Sequence, residues 1–102
     1  MQQQITLIDA VIDEDGLSLE QLAALCAVER AWLIQRIQEG LLVPQSQQQN
    51  VWRFSSASLL RVRRIRAIER DFDAAPELAA LVADMQEEID ALRRRLRRSG
   101  LE

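Results

Sequence analysis

The chain has 102 residues and a mass of 11.7 kDa, with 13 arginines, no lysine, 16 acidic residues and a formal net charge of −3. That length holds one domain, and 48% hydrophobic with 28% charged residues is an ordinary globular composition. One Cys and no His exclude a Cys/His zinc site, a Ser-His or Cys-His nucleophile pair and an intrachain disulfide. The apolar stretches are too short to span a bilayer, and Met1–Gln4 lacks the cationic start and apolar core of a signal peptide. A cytoplasmic binding protein is expected, not an enzyme, with no metal and no cofactor.

The charge is organised in blocks. Residues 1–50 carry −5, residues 51–70 carry +5, residues 71–92 carry −7 and residues 93–102 carry +4. Alternation of this kind suits internal or intersubunit pairing, or surfaces of opposite sign for different partners. The plainer reading is solvated helix faces of mixed charge.

Residues 1–16 form an N-terminal arm. Ile5–Ile8 is a possible short strand, and Asp13–Glu14–Asp15–Gly16 reads as a loop with an acidic tip. A first helix begins at Ser18, whose hydroxyl and the Gln21 amide make a capping box, with Leu17 and Leu22 placed for a hydrophobic staple. It ends near Cys26–Ala27. A second helix covers 29–39, with Leu33 and Ile37 on one face and Gly40 supplying the left-handed residue that stops it. The tight connection at Ala27–Val28 makes these two a helix-turn-helix candidate.

Leu41–Pro44, the polar run Gln45–Asn50 and Val51–Phe54 read as strand, turn and strand, with Pro44 at the edge. A third helix over 57–72, capped by Ser55 or Ser56, carries the apolar stripe Val62, Ile65, Ile68 and Phe72. Arg63, Arg66 and Arg70 lie opposite. Residues 17–72 thus form the head. Residues 73–99 form a last helix, with Asp73 as N-cap and Pro76 in the first turn. Leu78, Val82, Met85, Ile89, Leu92 and Leu96 follow a heptad seam on it. At 1.5 Å per residue it is about 35 Å long. A small head cannot cover that seam, so a homodimer through these six residues is expected.

The order of elements, Glu39–Gly40–Leu41–Leu42–Val43–Pro44 and Val51–Trp52–Arg53–Phe54–Ser55 resemble the MerR-type winged helix-turn-helix layout. The implied fold is mainly α: a winged helix-turn-helix head with a short β-hairpin wing, then a long C-terminal amphipathic helix. Within that layout the chain resembles the chaperone-modulator (CbpM) family. The features that carry this are the Gly40–Pro44 turn, Trp52–Arg53–Phe54 in the wing, and an Arg-rich ending after the heptad helix Leu78–Arg98. This resemblance covers about residues 17–98. It implies a protein that binds the J-domain of a DnaJ-like, CbpA-type co-chaperone and inhibits both its work with DnaK and its DNA binding. It also implies residence in the bacterial cytoplasm, or at the nucleoid through that partner.

The residues bear on the choice of partner. The second helix holds Glu29, Arg30, Arg36 and Glu39, with zero net charge, and the wing turn holds no cation. The MerR-type Arg that would follow Leu33 is replaced by Ile34. Phosphate neutralisation, a large share of DNA affinity, is therefore poorly served, and direct DNA binding is not expected. The Arg ridge at 61–70 could touch phosphates or pair with the acids at 71–92. A J-domain presents a basic helix, so its binder should offer acids beside apolar anchors. Asp9, Asp13, Glu14 and Asp15 offer one acidic surface; Asp71, Asp73, Glu77 and Asp84 offer another. Trp32, at the edge of the core, is the candidate anchor, ahead of Trp52. Cys26 reads as a small buried hydrophobe. The alternatives are a dimeric MerR-like transcription regulator on operator DNA and an antitoxin-like adaptor.

Overall fold

The computed structural model describes residues 16–49 and 51–100. The arm at 1–15, with the Ile5–Ile8 segment and Asp9, Asp13, Glu14 and Asp15, lies outside the described residues. The elements are α1 (Leu19–Cys26), α2 (Arg30–Gln38), β1 (Ser46–Gln48), β2 (Val51–Arg53), α3 (Ser56–Phe72) and α4 (Pro76–Arg98). The chain divides into two compact units at Arg63/Arg64. No helix among the described residues is long and apolar enough to cross a membrane.

Local chemistry sets the ends of the first two helices. The Gln21 N–H donates to Ser18 Oγ at 3.1 Å, and the Ser18 N–H donates to Gln21 Oε1 at 2.8 Å. This reciprocal pair satisfies two donors that the first turn leaves open. Helix α1 stops where Ala27 turns left-handed (φ 54°), and the Val28 N–H returns to the Ala23 carbonyl. Helix α2 ends the same way at Gly40 (φ 76°): its N–H reaches the Ile37 carbonyl and the Leu41 N–H reaches the Arg36 carbonyl. Two left-handed stops close together turn the chain sharply without leaving helix-end carbonyls open.

The hairpin begins later than its sequence suggests. The first strand is Ser46–Gln48 rather than Leu41–Pro44, in antiparallel register Ser46↔Arg53, Gln47↔Trp52 and Gln48↔Val51. Leu42 is buried, and the Leu41 carbonyl accepts from Arg61 Nε at 3.0 Å, so this segment serves the core and α3. Pro44 has no N–H to give a ladder. Pairing therefore starts beyond it, with the Gln45 N–H on the Arg53 carbonyl.

On the other side of β2, Leu17 and Phe54 exchange both backbone hydrogen bonds, at 2.8 and 2.9 Å. Leu17, Leu22, Leu33, Leu42, Phe54, Leu59 and Val62 form the core of the first unit. Burying each large apolar side chain contributes roughly 1.5–3 kcal/mol. Ser55 caps the start of α3: its Oγ accepts from the Ser58 N–H at 3.2 Å.

Two further corrections concern the end of α3 and the start of α4. Phe72 does not continue the buried stripe; it is 77% exposed. Ile65 is buried with Val62 and Ile68 is half-buried. Phe72 lies only about 20° around the helix from Ile65, but it is the last residue of α3 and its ring is left uncovered at the helix end. Asp73 is not the N-cap of α4. It is left-handed (φ 51°), while Ala75 is the N-cap and Pro76 opens the helix. Proline forces the residue before it into extended backbone, which fixes the boundary at Ala75.

In the second unit Arg64 Nη2 donates to Asp90 Oδ2 at 2.7 Å, tying α3 to α4. That hydrogen bond, helped by the charges of Arg64, Arg94 and Arg93, holds the Asp90 carboxyl below its ordinary range against a partial desolvation effect. The buried residues of α4 are Ala79, Ala80 and Ala83.

Candidate protein-interaction surfaces

Three surfaces are candidates for interaction. The first is the outward side of α2 with the wing. Arg36 is 6% exposed. Its guanidinium lies 4.6 Å from the centre of the Trp32 ring, and its Nη1 donates to Glu39 Oε1 at 3.4 Å. The other α2 arginine, Arg30, donates from Nε to Glu20 Oε1 at 3.3 Å, in a pair open to water. Arg36 is thus held within the chain, while Arg30 keeps most of its exposure. Trp32 is half-buried against the core and over Arg36, where the sequence places it at the core's edge. Trp52, in β2, also packs on the core. A cleft of about 450 Å³ runs between α1, α2 and the hairpin, with Leu19, Ile34, Val51 and Trp52 in its walls and the Glu20–Arg30 pair beside them.

The arginines of α3 have mostly internal tasks. Arg63 Nη2 donates to the Leu25 carbonyl at 3.2 Å, holding the end of α1. Arg61 holds the turn after α2 through the Leu41 carbonyl, and Arg64 holds Asp90. Pairing with the acids at 71–92 accounts for Arg64 and for Arg70, whose Nε donates to Asp71 Oδ1 at 3.0 Å. Carbonyl partners for Arg61 and Arg63 are not written in the local sequence, because they lie far away along the chain. Cys26 sits beneath this layer, its thiol directed at the Leu59 carbonyl at 3.8 Å. Burial pushes the thiol up to about 11, although nearby Arg63 acts the other way.

The second surface is the large-residue stripe of α4. Leu78, Met85, Ile89, Leu92 and Leu96 are exposed in the single chain, as is Leu81, and Val82 is half-buried. At about 100° per residue, this stripe lies roughly 140° around the helix from Ala79, Ala80 and Ala83. The small residues face inward and the large ones outward, the reverse of an ordinary amphipathic helix.

The third surface is the acidic corner between α3 and α4. It brings together Asp71, Asp73 and Glu77, all exposed, with Phe72 among them in sequence. Reading Phe72 as part of the apolar stripe hid this neighbour of the predicted acids; its place at the last residue of α3, between two aspartates, is the signal that marks it. Among the described residues, no group of three or more His, Cys, Asp or Glu could hold a metal ion.

Comparison with known proteins gives one match. The model of the MerR HTH family regulatory proteins matches residues 17–99, and the chain belongs to that family. The four helices, the small hairpin after the first two and the long last helix are the MerR-like winged helix-turn-helix fold. Neither the curated proteins nor the solved structures give a match.

Proposed function

We propose that this member of the MerR-like family is a protein-binding modulator of the CbpM type. It binds the J-domain of a DnaJ-like co-chaperone, lowers that co-chaperone's stimulation of its Hsp70, and restrains its DNA binding. The observation that carries the choice of a protein over DNA is the state of the α2 arginines. Arg36 is buried beside Trp32 and joined to Glu39, which leaves Arg30, in a water-open pair with Glu20, as the helix's one cation at the surface. A reading helix must place cations and donors on phosphates and base edges. This one withdraws Arg36 from the surface, and Arg61 and Arg63 are bonded to backbone carbonyls. The reading calls for neither catalysis nor a cofactor, and places the protein in the cytoplasm.

The working form is a homodimer through Leu78, Val82, Met85, Ile89, Leu92 and Leu96. Charge favours antiparallel pairing of α4. A parallel pair sets the five arginines at 93–98 against their own copies, whereas an antiparallel pair turns them towards Asp84.

Calorimetric titration of the full chain with the isolated J-domain of a CbpA-type co-chaperone, at low and moderate salt, tests the reading. Saturation near one J-domain per chain supports it, and absence of heat at both salts removes it. Family membership keeps one rival, a dimeric transcription regulator on operator DNA. Retention on heparin or DNA that falls steeply with salt is what that rival requires.

A further inference from the structure

The acidic corner contains a side chain that is out of place. Phe72 ends α3 and is 77% exposed, the most exposed large hydrophobic residue of the described chain. A lone exposed aromatic is unremarkable on its own. This one is bracketed by Asp71 and Asp73, both exposed, with the exposed Glu77 following in the first turn of α4. Asp71 accepts from Arg70, but that pair is open to water and weak, so its carboxylate stays available to a stronger partner. The other aromatic candidates are committed elsewhere: Trp32 lies over Arg36, and both Trp32 and Trp52 pack on the core.

We propose that Phe72 is the apolar anchor of a docking surface whose rim is Asp71, Asp73 and Glu77, and that its occupant is a basic amphipathic helix of the partner. The argument is one of charge complementarity around an unburied ring. An aromatic side chain is rigid and loses little entropy on docking, so it suits the centre of an interface. Carboxylates around it speed and orient the approach of a cationic helix and disfavour acidic competitors. The inference rests on the J-domain reading above and moves the anchor of that site from Trp32 to Phe72.

The test is titration of the full-length protein with the isolated J-domain, comparing wild type with Phe72→Ala, Phe72→Leu and the pair Asp71→Asn, Asp73→Asn. Asparagine tolerates the left-handed backbone at residue 73. Light scattering and circular dichroism accompany each variant. Phe72→Ala is expected to weaken binding about tenfold or more, with Phe72→Leu between it and wild type. The double Asn variant is expected to slow association and flatten its salt dependence. If Phe72→Ala binds within twofold of wild type, the anchor lies elsewhere while the J-domain reading stands. If Phe72→Ala changes the oligomeric mass, Phe72 belongs to the self-interface and the proposal is overturned. If the wild type does not bind the J-domain, both readings fall.

Discussion

The Arg36 guanidinium lies 4.6 Å from the centre of the Trp32 ring, four residues earlier on the same helix. The charge is almost wholly withdrawn from water and also meets Glu39. In a helix placed to read DNA, a cation belongs on the outside. Here it has become part of the support beneath the helix.

Removing Arg36 should therefore act on stability. Arg36→Ala is expected to cost about 2 kcal/mol, through the lost cation–π contact and the packing of its aliphatic stem. Urea denaturation reads this directly. On the proposed reading, J-domain affinity should fall little in the folded variant, and retention on DNA should not differ from that of the wild type.

Gly16 makes a second test of the head. Its φ is 78°, and a Cβ there would stand 2.8 Å from the Phe54 carbonyl oxygen, beside the Leu17–Phe54 bridge. Gly16→Ala is expected to destabilise by roughly 1–3 kcal/mol, combining left-handed strain with the clash. Gly40→Ala lacks the clash, since nothing lies within 4 Å of its Cβ position. It should cost less in the same denaturation assay.

Cys26 predicts an alkaline weakness. The unfolded thiol ionises near its ordinary 9.0, while the buried one holds its proton to about 11. The folded state then binds more protons over that range. Its advantage is complete below pH 9 and declines as pH rises towards 11. Denaturation midpoints should fall across that interval, and Cys26→Ala should flatten the decline. Thiol-labelling reagents should react slowly with the native protein at pH 8 and at an ordinary rate once it is unfolded.

The outward stripe of α4 predicts self-association. Val82→Asp with Ile89→Asp should halve the mass seen by light scattering while leaving helix content nearly unchanged, because the inward alanines are untouched. Equal masses for wild type and variant would remove the seam from the dimer account. High salt should weaken an antiparallel dimer modestly, since its opposed charges lie at the exposed flanks.

The parts of the fold fixed by short-range chemistry were legible in the sequence. Ser18 with Gln21, and Gly40, mark helix ends through bonds made within a few residues. The heptad spacing on α4 was equally readable, because period is a local property. What long-range contacts decide was not. Strand β1 starts late because Leu42 is drawn into the core and Arg61 takes the Leu41 carbonyl. The N-cap of α4 was a different case: Pro76 sets the boundary at Ala75 by a local rule, and Asp73 was preferred for its side chain alone. Phe72 was read as part of the α3 stripe and does lie near the face of Ile65, but it ends the helix, and whether a helix end is covered is not written in the period. The acidic corner was thus half visible, its carboxylates read correctly as exposed and its ring misplaced.

The most direct measurement of the central claim is the ATPase rate of the Hsp70 stimulated by the full-length CbpA-type co-chaperone, with this protein added in increasing amounts. The account predicts that stimulation falls in a saturable manner towards the unstimulated rate, and that an Hsp70 variant unable to receive the J-domain shows no response. Unchanged stimulation at a large excess of this protein, with both proteins folded, would contradict it.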